Sequence, residues 1–161
     1  MIHYYSSEFE SIQLRPLEEA DLELLRLLRN KNRHFFINKN EITADQQSTW
    51  FKQYLAKNDD IMFAIRCPTM GFAGAIALYD IDFKKSSAVF GRIVVSENAP
   101  RFTGTYAIEA LLLFARNILK IKTITCSVLK DNQRAIAIYE RVGFCKYASE
   151  EGFFLYQKQL T

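Results

Sequence analysis

Two stretches of the chain carry residue types whose spacing fits chemistry. The first is Val95-Ser96-Glu97-Asn98-Ala99-Pro100-Arg101-Phe102-Thr103-Gly104-Thr105-Tyr106, between a strand pattern and a strongly apolar helix pattern. Free N–H groups at a helix start attract phosphate, and glycine lets a ligand approach the backbone. Arg101 adds a fork of donors for phosphate oxygens. The stretch reads as a pyrophosphate cradle, although an ordinary strand-to-helix loop has the same composition. The second stretch is Asn132-Gln133-Arg134-Ala135-Ile136-Ala137-Ile138-Tyr139-Glu140-Arg141-Val142-Gly143-Phe144. Asn132 follows a strand pattern directly, and Tyr139 lies about two helical turns further along the same face. Gly143-Phe144 then closes the helix and opens a strand.

The elements that must position these residues follow from periodicity. Ile12–Leu14 is a short strand ending at Arg15-Pro16, and a helix is predicted over Glu18–Asn30 with its stripe on Leu17, Leu24, Leu25, Leu27 and Leu28. A second helix is predicted over Ala44–Lys57, its start marked by the capping-box spacing of Thr43 and Gln46. Three strands, Ile61–Arg66, Phe72–Tyr79 and Ser87–Val95, read as an antiparallel meander. A helix from about Tyr106 to Leu119 is apolar on nearly every face and must be central and covered. Strand Thr123–Val128, helix Asn132–Arg141 and strands Phe144–Ala148 and Phe153–Gln159 complete the chain. The order β-α-α-β-β-β-α-β-α-β-β predicts an α/β (α+β) fold, a central mixed sheet flanked by helices. The unit Ser87–Val95, buried helix, Thr123–Val128 is a crossover that makes those two strands parallel.

Composition narrows the function. At 161 residues, with 49% hydrophobic and 24% charged residues, the chain is expected to form one globular domain over 1–161. A net charge of +3 is too weak to argue for nucleic acid. Cys67, Cys126 and Cys145 are scattered, and the histidines are His3 and His34, so neither a disulfide framework nor a metal site is expected. Reduced thiols suit the cytoplasm. The longest apolar run, Ala110–Ala115, is far short of a membrane span, and Met1-Ile2-His3-Tyr4-Tyr5 does not read as a signal peptide.

The pattern N-x-x-A-I-x-x-Y-E-x-x-G-F, after a strand that follows a buried helix, resembles the Gcn5-related N-acetyltransferase (GNAT) superfamily, and the resemblance runs from Leu14-Arg15-Pro16-Leu17 onward. It implies acetyl-CoA as donor and a primary amine as acceptor. It implies that the strand ending at Ile93-Val94-Val95 pairs with the pantetheine arm, that the loop amides over Arg101, Thr103, Gly104, Thr105, Tyr106 and Ala107 hold the pyrophosphate, that Asn132 contacts the cofactor, and that Tyr139 is the acid for the departing thiolate. The family loop reads Q/R-x-x-G-x-G/A. Here either Tyr106 or Ala107 takes its third motif position, so the loop either carries an extra residue or holds a reshaped site with Thr103 and Thr105 hydroxyls as donors.

Three features bear on the acceptor. Arg26, Arg29 and Arg33 recur at helical spacing, with Lys31 and Lys39 nearby. A basic wall there favours an acidic acceptor, whereas a polyamine or aminoglycoside prefers acidic walls; a solvated helix face is the bland reading. Arg29-Asn30-x-x-Arg33 with His34-Phe35-Phe36 and Gln47-x-x-Trp50-Phe51 resembles GNAT members that acetylate amino sugars on nucleotide carriers. Phe36 and Trp50 can stack on a base or sugar, or pack as core. The strand glutamate frequent in the family is replaced by Ala88-Val89-Phe90, so the base is open among His34, Asp80, Asp82, Glu97 and a water chain. The expected acceptor is a small-molecule amine, with a nucleotide-linked amino sugar first. The alternatives are a protein N-terminus of the ribosomal-protein type, a polyamine or aminoglycoside, or a non-catalytic acyl-CoA-binding domain. The closing strand Phe153-Phe154-Leu155-Tyr156 could pair two copies as a homodimer.

Overall fold

The computed structural model describes residues 3–161, so the first two residues of the opening pentapeptide lie outside it. Eight strands form one mixed sheet in the order β1-β2-β3-β4-β5-β6-β8-β7. They are β1 (Ser7–Phe9), β2 (Ile12–Pro16), β3 (Ile61–Cys67), β4 (Gly71–Asp82), β5 (Ser87–Val95), β6 (Thr123–Leu129), β7 (Cys145–Ser149) and β8 (Phe153–Gln159). Helices α1 (Leu22–Lys31) and α2 (Ala44–Leu55) join β2 to β3, α3 (Thr103–Asn117) joins β5 to β6, and α4 (Gln133–Arg141) joins β6 to β7. The meander and the parallel β5–β6 crossover are present as expected.

The sheet separates two apolar layers. On one face α3 and α4 pack around Phe63, Phe90, Ile108, Leu111 and Phe114. On the other, α1 and α2 contribute Leu25, Phe51 and Tyr54 over Ala64, Ala75 and Ala77. Small residues on β3 and β4 let these helices sit close to the sheet. Helix α3 hides Ala107, Ile108, Ala110, Leu111, Leu112, Phe114 and Ala115, so its all-round apolarity is satisfied by a covered position.

Three boundaries differ from the sequence reading, each for a local reason. Strand β1 is too short for periodicity to reveal; it exists because Glu10 takes a left-handed φ of 54° and folds Phe9 against Ile12. The first helix starts at Leu22, because Glu18 and Asp21 close a capping box around a single 3-10 turn, Glu19–Asp21. Helix α3 starts at Thr103, three residues before the expected Tyr106, because Phe102 turns the chain with a left-handed φ of 71°. Helix α2 begins as its motif predicts: Gln46 N donates to Thr43 Oγ1 at 3.2 Å, and Thr43 N donates to Gln46 Oε1 at 2.9 Å.

Candidate active site

The site begins as an interruption of the sheet. Strands β5 and β6 are bonded only where Ser87–Val89 meets Thr123–Thr125. Beyond that point β5 stays with β4 through Val95, and β6 stays with β8 through Leu129. The outer halves of β5 and β6 therefore diverge, leaving backbone groups of Phe90–Val95 without a strand partner on the β6 side. A bulge accompanies the splay. Ala75 faces Val94 but Ala77 faces Gly91, so β5 carries one extra residue, and Arg92 sits there with a φ of 49°. Two contacts hold the bulge. Arg92 Nη1 donates to both oxygens of the buried Asp60 carboxylate, at 2.8 and 3.0 Å, and its guanidinium lies 4.3 Å from the Tyr79 ring centre. At Gly74 the β4 backbone comes so near β5 that an added Cβ would lie 2.1 Å from Val94 O.

The splay opens into a cavity of about 1000 Å³ that runs from the start of α3, past α4, to the segment between α1 and α2. Of the expected donor residues, Ile93, Val94, Val95, Arg101, Thr103, Gly104, Thr105 and Asn132 line it, as does Tyr139. At the start of α3, Thr103 satisfies itself locally, with both its N–H and its hydroxyl donating to Pro100 O at 3.2 and 2.7 Å. Its hydroxyl is thus already engaged. The next two amides, Gly104 and Thr105, have no backbone acceptor among the described residues and face the cavity. Gly104 has room for a Cβ within the protein, with Val95 Cγ2 at 3.7 Å the nearest atom, so its bareness serves the cavity side. Tyr106 and Ala107 do not line the cavity. The Tyr106 ring packs 5.7 Å from Phe9 and 6.0 Å from Phe102, and Ala107 is fully buried under the sheet. Of the expected cradle, Arg101–Thr105 therefore line the cavity and the rest belongs to the core face of α3.

Asn132 is the N-cap of α4, its Oδ1 accepting from Ala135 N at 3.2 Å. That use of the oxygen leaves the amide Nδ2 as a donor. Tyr139 is 6% exposed, edge-on to Phe90 with centroids 5.2 Å apart. Burial pushes its phenol well above the ordinary value of 10, with the neighbouring Cys126 thiol and Tyr79 adding to the shift. A phenol so placed keeps its proton at neutral pH and is therefore held in its acid form.

The far end of the cavity is built by α1, α2 and the segment between them. Arg29, Phe36 and Trp50 line it; Arg33 and His34 do not. Arg33 turns outward to Glu41 at 3.3 Å, and the His34 ring lies tilted against Phe35, with centroids 4.0 Å apart. Trp50 stacks on Tyr54 at 5.1 Å while keeping a face to the cavity. Arg29 lies 3.8 Å from the Phe36 ring centre, gives Nη2 to Asn38 O at 2.5 Å, and keeps a buried Nη1 with no partner. Burial pulls its pKa below the ordinary arginine value. Two glutamates at the cavity mouth are both engaged, Glu97 with Lys31 and Glu41 with Arg33. Sequence reasoning missed Tyr79, Ser127 and Arg134 as wall residues. Tyr79 was read only as the end of a meander strand, and no local pattern marks it. Among the described residues no three His, Cys, Asp or Glu side chains gather to hold a metal ion, and no helix is long and apolar enough to cross a membrane.

A splayed parallel strand pair, ending on unpaired amides at a helix start, suits an extended arm that ends in phosphates. Fold and site together define an acetyl-CoA-dependent N-acetyltransferase. Residues 11–145 match the acetyltransferase (GNAT) domain, and the chain belongs to that family. It is 24% identical over 136 residues to spermidine N(1)-acetyltransferase of Vibrio cholerae, covering 83% of this chain and 78% of the relative. It is 26% identical over 137 residues to the Escherichia coli K12 enzyme of the same name, covering 83% and 73%. In three dimensions it resembles spermidine N-acetyltransferase from Vibrio cholerae in complex with CoA and spermine, with a TM-score of 0.84 at 21% identity over 93% of this chain and 96% of that one. It also resembles a nucleotide-linked sugar GNAT, with a TM-score of 0.87 at 19% identity over 97% and 90%. The curated relatives are thus polyamine acetyltransferases. They match one of the alternatives set out above rather than the amino sugar placed first.

Proposed function

We propose that the protein acetylates a primary amine on a small molecule that also carries negative charge, a nucleotide-linked amino sugar being the acceptor that fits best. The observation that carries this reading is Arg29. Arg29 lines an acceptor cavity whose two glutamates are already engaged by cations, and its buried Nη1 has no partner. A buried guanidinium N–H without a partner costs free energy that an incoming phosphate or carboxylate oxygen recovers. A polycation would meet no free carboxylate there. Phe36 and Trp50 offer flat faces for a base or sugar ring.

In the proposed reaction the neutral amine attacks the thioester carbon and a C–N bond forms. The C–S bond breaks, the nitrogen loses its extra proton to solvent, and Tyr139 gives its proton to the departing sulfur and then regains one from solvent. Backbone N–H groups on the splayed half of β5 stabilise the oxyanion. The amides of Gly104 and Thr105, with Arg101, hold the pyrophosphate, and the Asn132 amide donates to the donor's arm.

A second reading is favoured by the relatives themselves: acetylation of spermidine, the activity named for the enzymes of both bacteria. CoA-thiol release separates the two. The purified protein is assayed with acetyl-CoA against nucleoside-diphosphate sugars bearing an amine at C2, C3 or C4, and against spermidine. Saturable turnover of a sugar, with spermidine at background, is expected; the reverse overturns the reading. With the active amine, Tyr139→Phe is expected to lower kcat by about 10²–10⁴-fold while acetyl-CoA binding stays within about twofold. Unchanged kcat would remove Tyr139 from the chemistry.

A further inference from the structure

The wall of the acceptor cavity includes a stretch of chain with little regular structure of its own. Between the end of α1 at Lys31 and the N-cap of α2 at Thr43, the only helical turn is a 3-10 turn at Arg33–Phe35. Phe35, Phe36, Ile37, Asn38 and Asn40 of this stretch all face the cavity. Phe35 and Ile37 are 48% and 61% exposed, so apolar burial holds the stretch only through Phe36. A loop of this kind frays unless its ends and turns are tied.

The tie at its base is a side chain that imitates a peptide group. Asn30, in the last turn of α1, donates Nδ2 to Ile42 O at 2.8 Å, and Ile42 N donates to Asn30 Oδ1 at 2.8 Å. Both backbone groups of Ile42 are thereby paired by one amide, as a neighbouring strand would pair them. Arg26 Nη1 adds a weaker bond to Ile42 O at 3.3 Å. Within the loop, Arg29 holds Asn38 O, and Lys39 Nζ donates to His34 O at 2.6 Å and to Phe36 O at 3.3 Å. Every one of these ties uses a side chain on a backbone carbonyl or amide. Only asparagine or glutamine offers both a donor and an acceptor on one planar group, and glutamine's extra methylene moves the amide outward.

We infer that Asn30 is a positioning residue for acceptor selection: by clasping both backbone groups of Ile42, it fixes the Phe35–Asn40 wall against which the amine substrate is aligned. The inference rests on the acceptor reading only in placing the amine against this wall; it does not depend on the amine being a sugar. The proposed donor cradle lies on β5, α3 and α4, and neither Asn30 nor Ile42 hydrogen-bonds to any of these elements. Loss of the clasp therefore acts on the acceptor and leaves the donor alone. This split in effect is what a merely structural role would not produce.

Three measurements on the full chain test it, using Asn30→Ala and Asn30→Asp. Aspartate keeps the acceptor for Ile42 N–H but sets a carboxylate against Ile42 C=O, so it retains one bond of the two and covers the case in which the alanine variant folds poorly. Hydrogen exchange needs no substrate and reads the loop directly. Amides over 33–41 are expected to exchange about tenfold faster in Asn30→Ala, less so in Asn30→Asp, with α3 unchanged. Acetyl-CoA affinity by calorimetry is expected within about twofold of wild type, and KM for the amine that turns over in the panel above is expected to rise about tenfold with kcat nearly kept. Unchanged exchange over 33–41 overturns the inference, as does faster exchange spread evenly over the whole chain. An equal loss of donor and acceptor affinity overturns it too. If no amine in the panel turns over, the acceptor reading fails, while the exchange result still decides the clasp.

Discussion

Replacing Arg92 by methionine tests what holds the splay open. Asp60 is 3% exposed at its side chain, and Arg92 Nη1 covers both its oxygens at 2.8 and 3.0 Å. The other cation in reach is Lys57, 3.8 Å away on a side chain 55% exposed. Arg92→Met keeps the stem and removes the charge, so it leaves a buried carboxylate with one distant, solvated partner. Stripping one member from a buried pair costs about 3–5 kcal/mol, and Lys57 places this case at the lower end, about 3 kcal/mol. Loss of the stacking on Tyr79 adds about 0.5–1 kcal/mol. At about 2–4 °C per kcal/mol for a chain this long, the summed loss of about 3.5–4 kcal/mol is expected to lower the melting temperature by about 7–16 °C. Asp60→Ala leaves the guanidinium, which is one-third exposed and can reach water, so its cost is smaller. The double variant removes both charges and is expected to be less destabilised than the sum of the singles, by about 2 kcal/mol of coupling. Thermal melts followed by circular dichroism, with denaturant titrations for the cycle, measure all four proteins. A melting temperature within about 2 °C of wild type in Arg92→Met, or full additivity in the double, would refute the reasoning that this pair carries the bulge.

The remaining predictions concern Asn132 and the buried phenols. Asn132→Ala removes the N-cap of α4 and is expected to cost about 0.5–2 kcal/mol, whereas Asn132→Asp keeps a capping oxygen and stability but loses the amide donor. If the amide serves the donor, calorimetry will show weakened acetyl-CoA binding in both variants; wild-type affinity in Asn132→Asp would confine the residue to capping. Burial pushes the Tyr54 phenol up to about 12, opposed by its hydrogen bond to the Met62 backbone. Below about pH 10 the folded and unfolded chains both hold this proton, so its contribution is complete there. Above that the unfolded chain ionises first, and stability falls as pH rises toward the folded value. Urea midpoints between about pH 9 and 11.5 should drop in wild type and drop less steeply in Tyr54→Phe; parallel slopes would count against this assignment.

The elements that place the donor site were legible because they rest on local rules. The Thr43–Gln46 box marked the start of α2, alternation marked β6, and the Asn132…Tyr139 spacing put two wall residues on one face of α4. Non-local causes were not legible. The bulge depends on Arg92 meeting Asp60, 32 residues away, and nothing near either residue announces the other. Phe102 in a left-handed conformation moved the start of α3 upstream, which carried Tyr106 and Ala107 past the cavity and into packed positions. On the acceptor side, the basic spacing of Arg26, Arg29 and Arg33 suggested a single wall. The structure divides it: Arg26 bonds Glu23 on its own helix, Arg33 leaves for Glu41, and Arg29 alone enters the cavity.

The two halves of the cavity differ in what builds them. On the proposed reading, the donor half is made of backbone: an unpaired strand edge on β5 and unpartnered amides at Gly104 and Thr105. Side-chain substitution leaves such groups in place as long as the bulge and the helix start persist, so a donor site can survive at 24–26% identity. The acceptor half is made of side chains on a loop tied at Asn30, and its charge is set by which cations and carboxylates neutralise one another. Exchanging a single member of the Arg33–Glu41 or Lys31–Glu97 pair would free a charge at the mouth. Freeing a carboxylate would favour a cationic amine, while the present pairing leaves Arg29 without a carboxylate partner. On the proposed reading, acceptor choice is therefore a matter of a few charge pairings around the donor cleft, with the buried Arg29 guanidinium favouring an anionic acceptor.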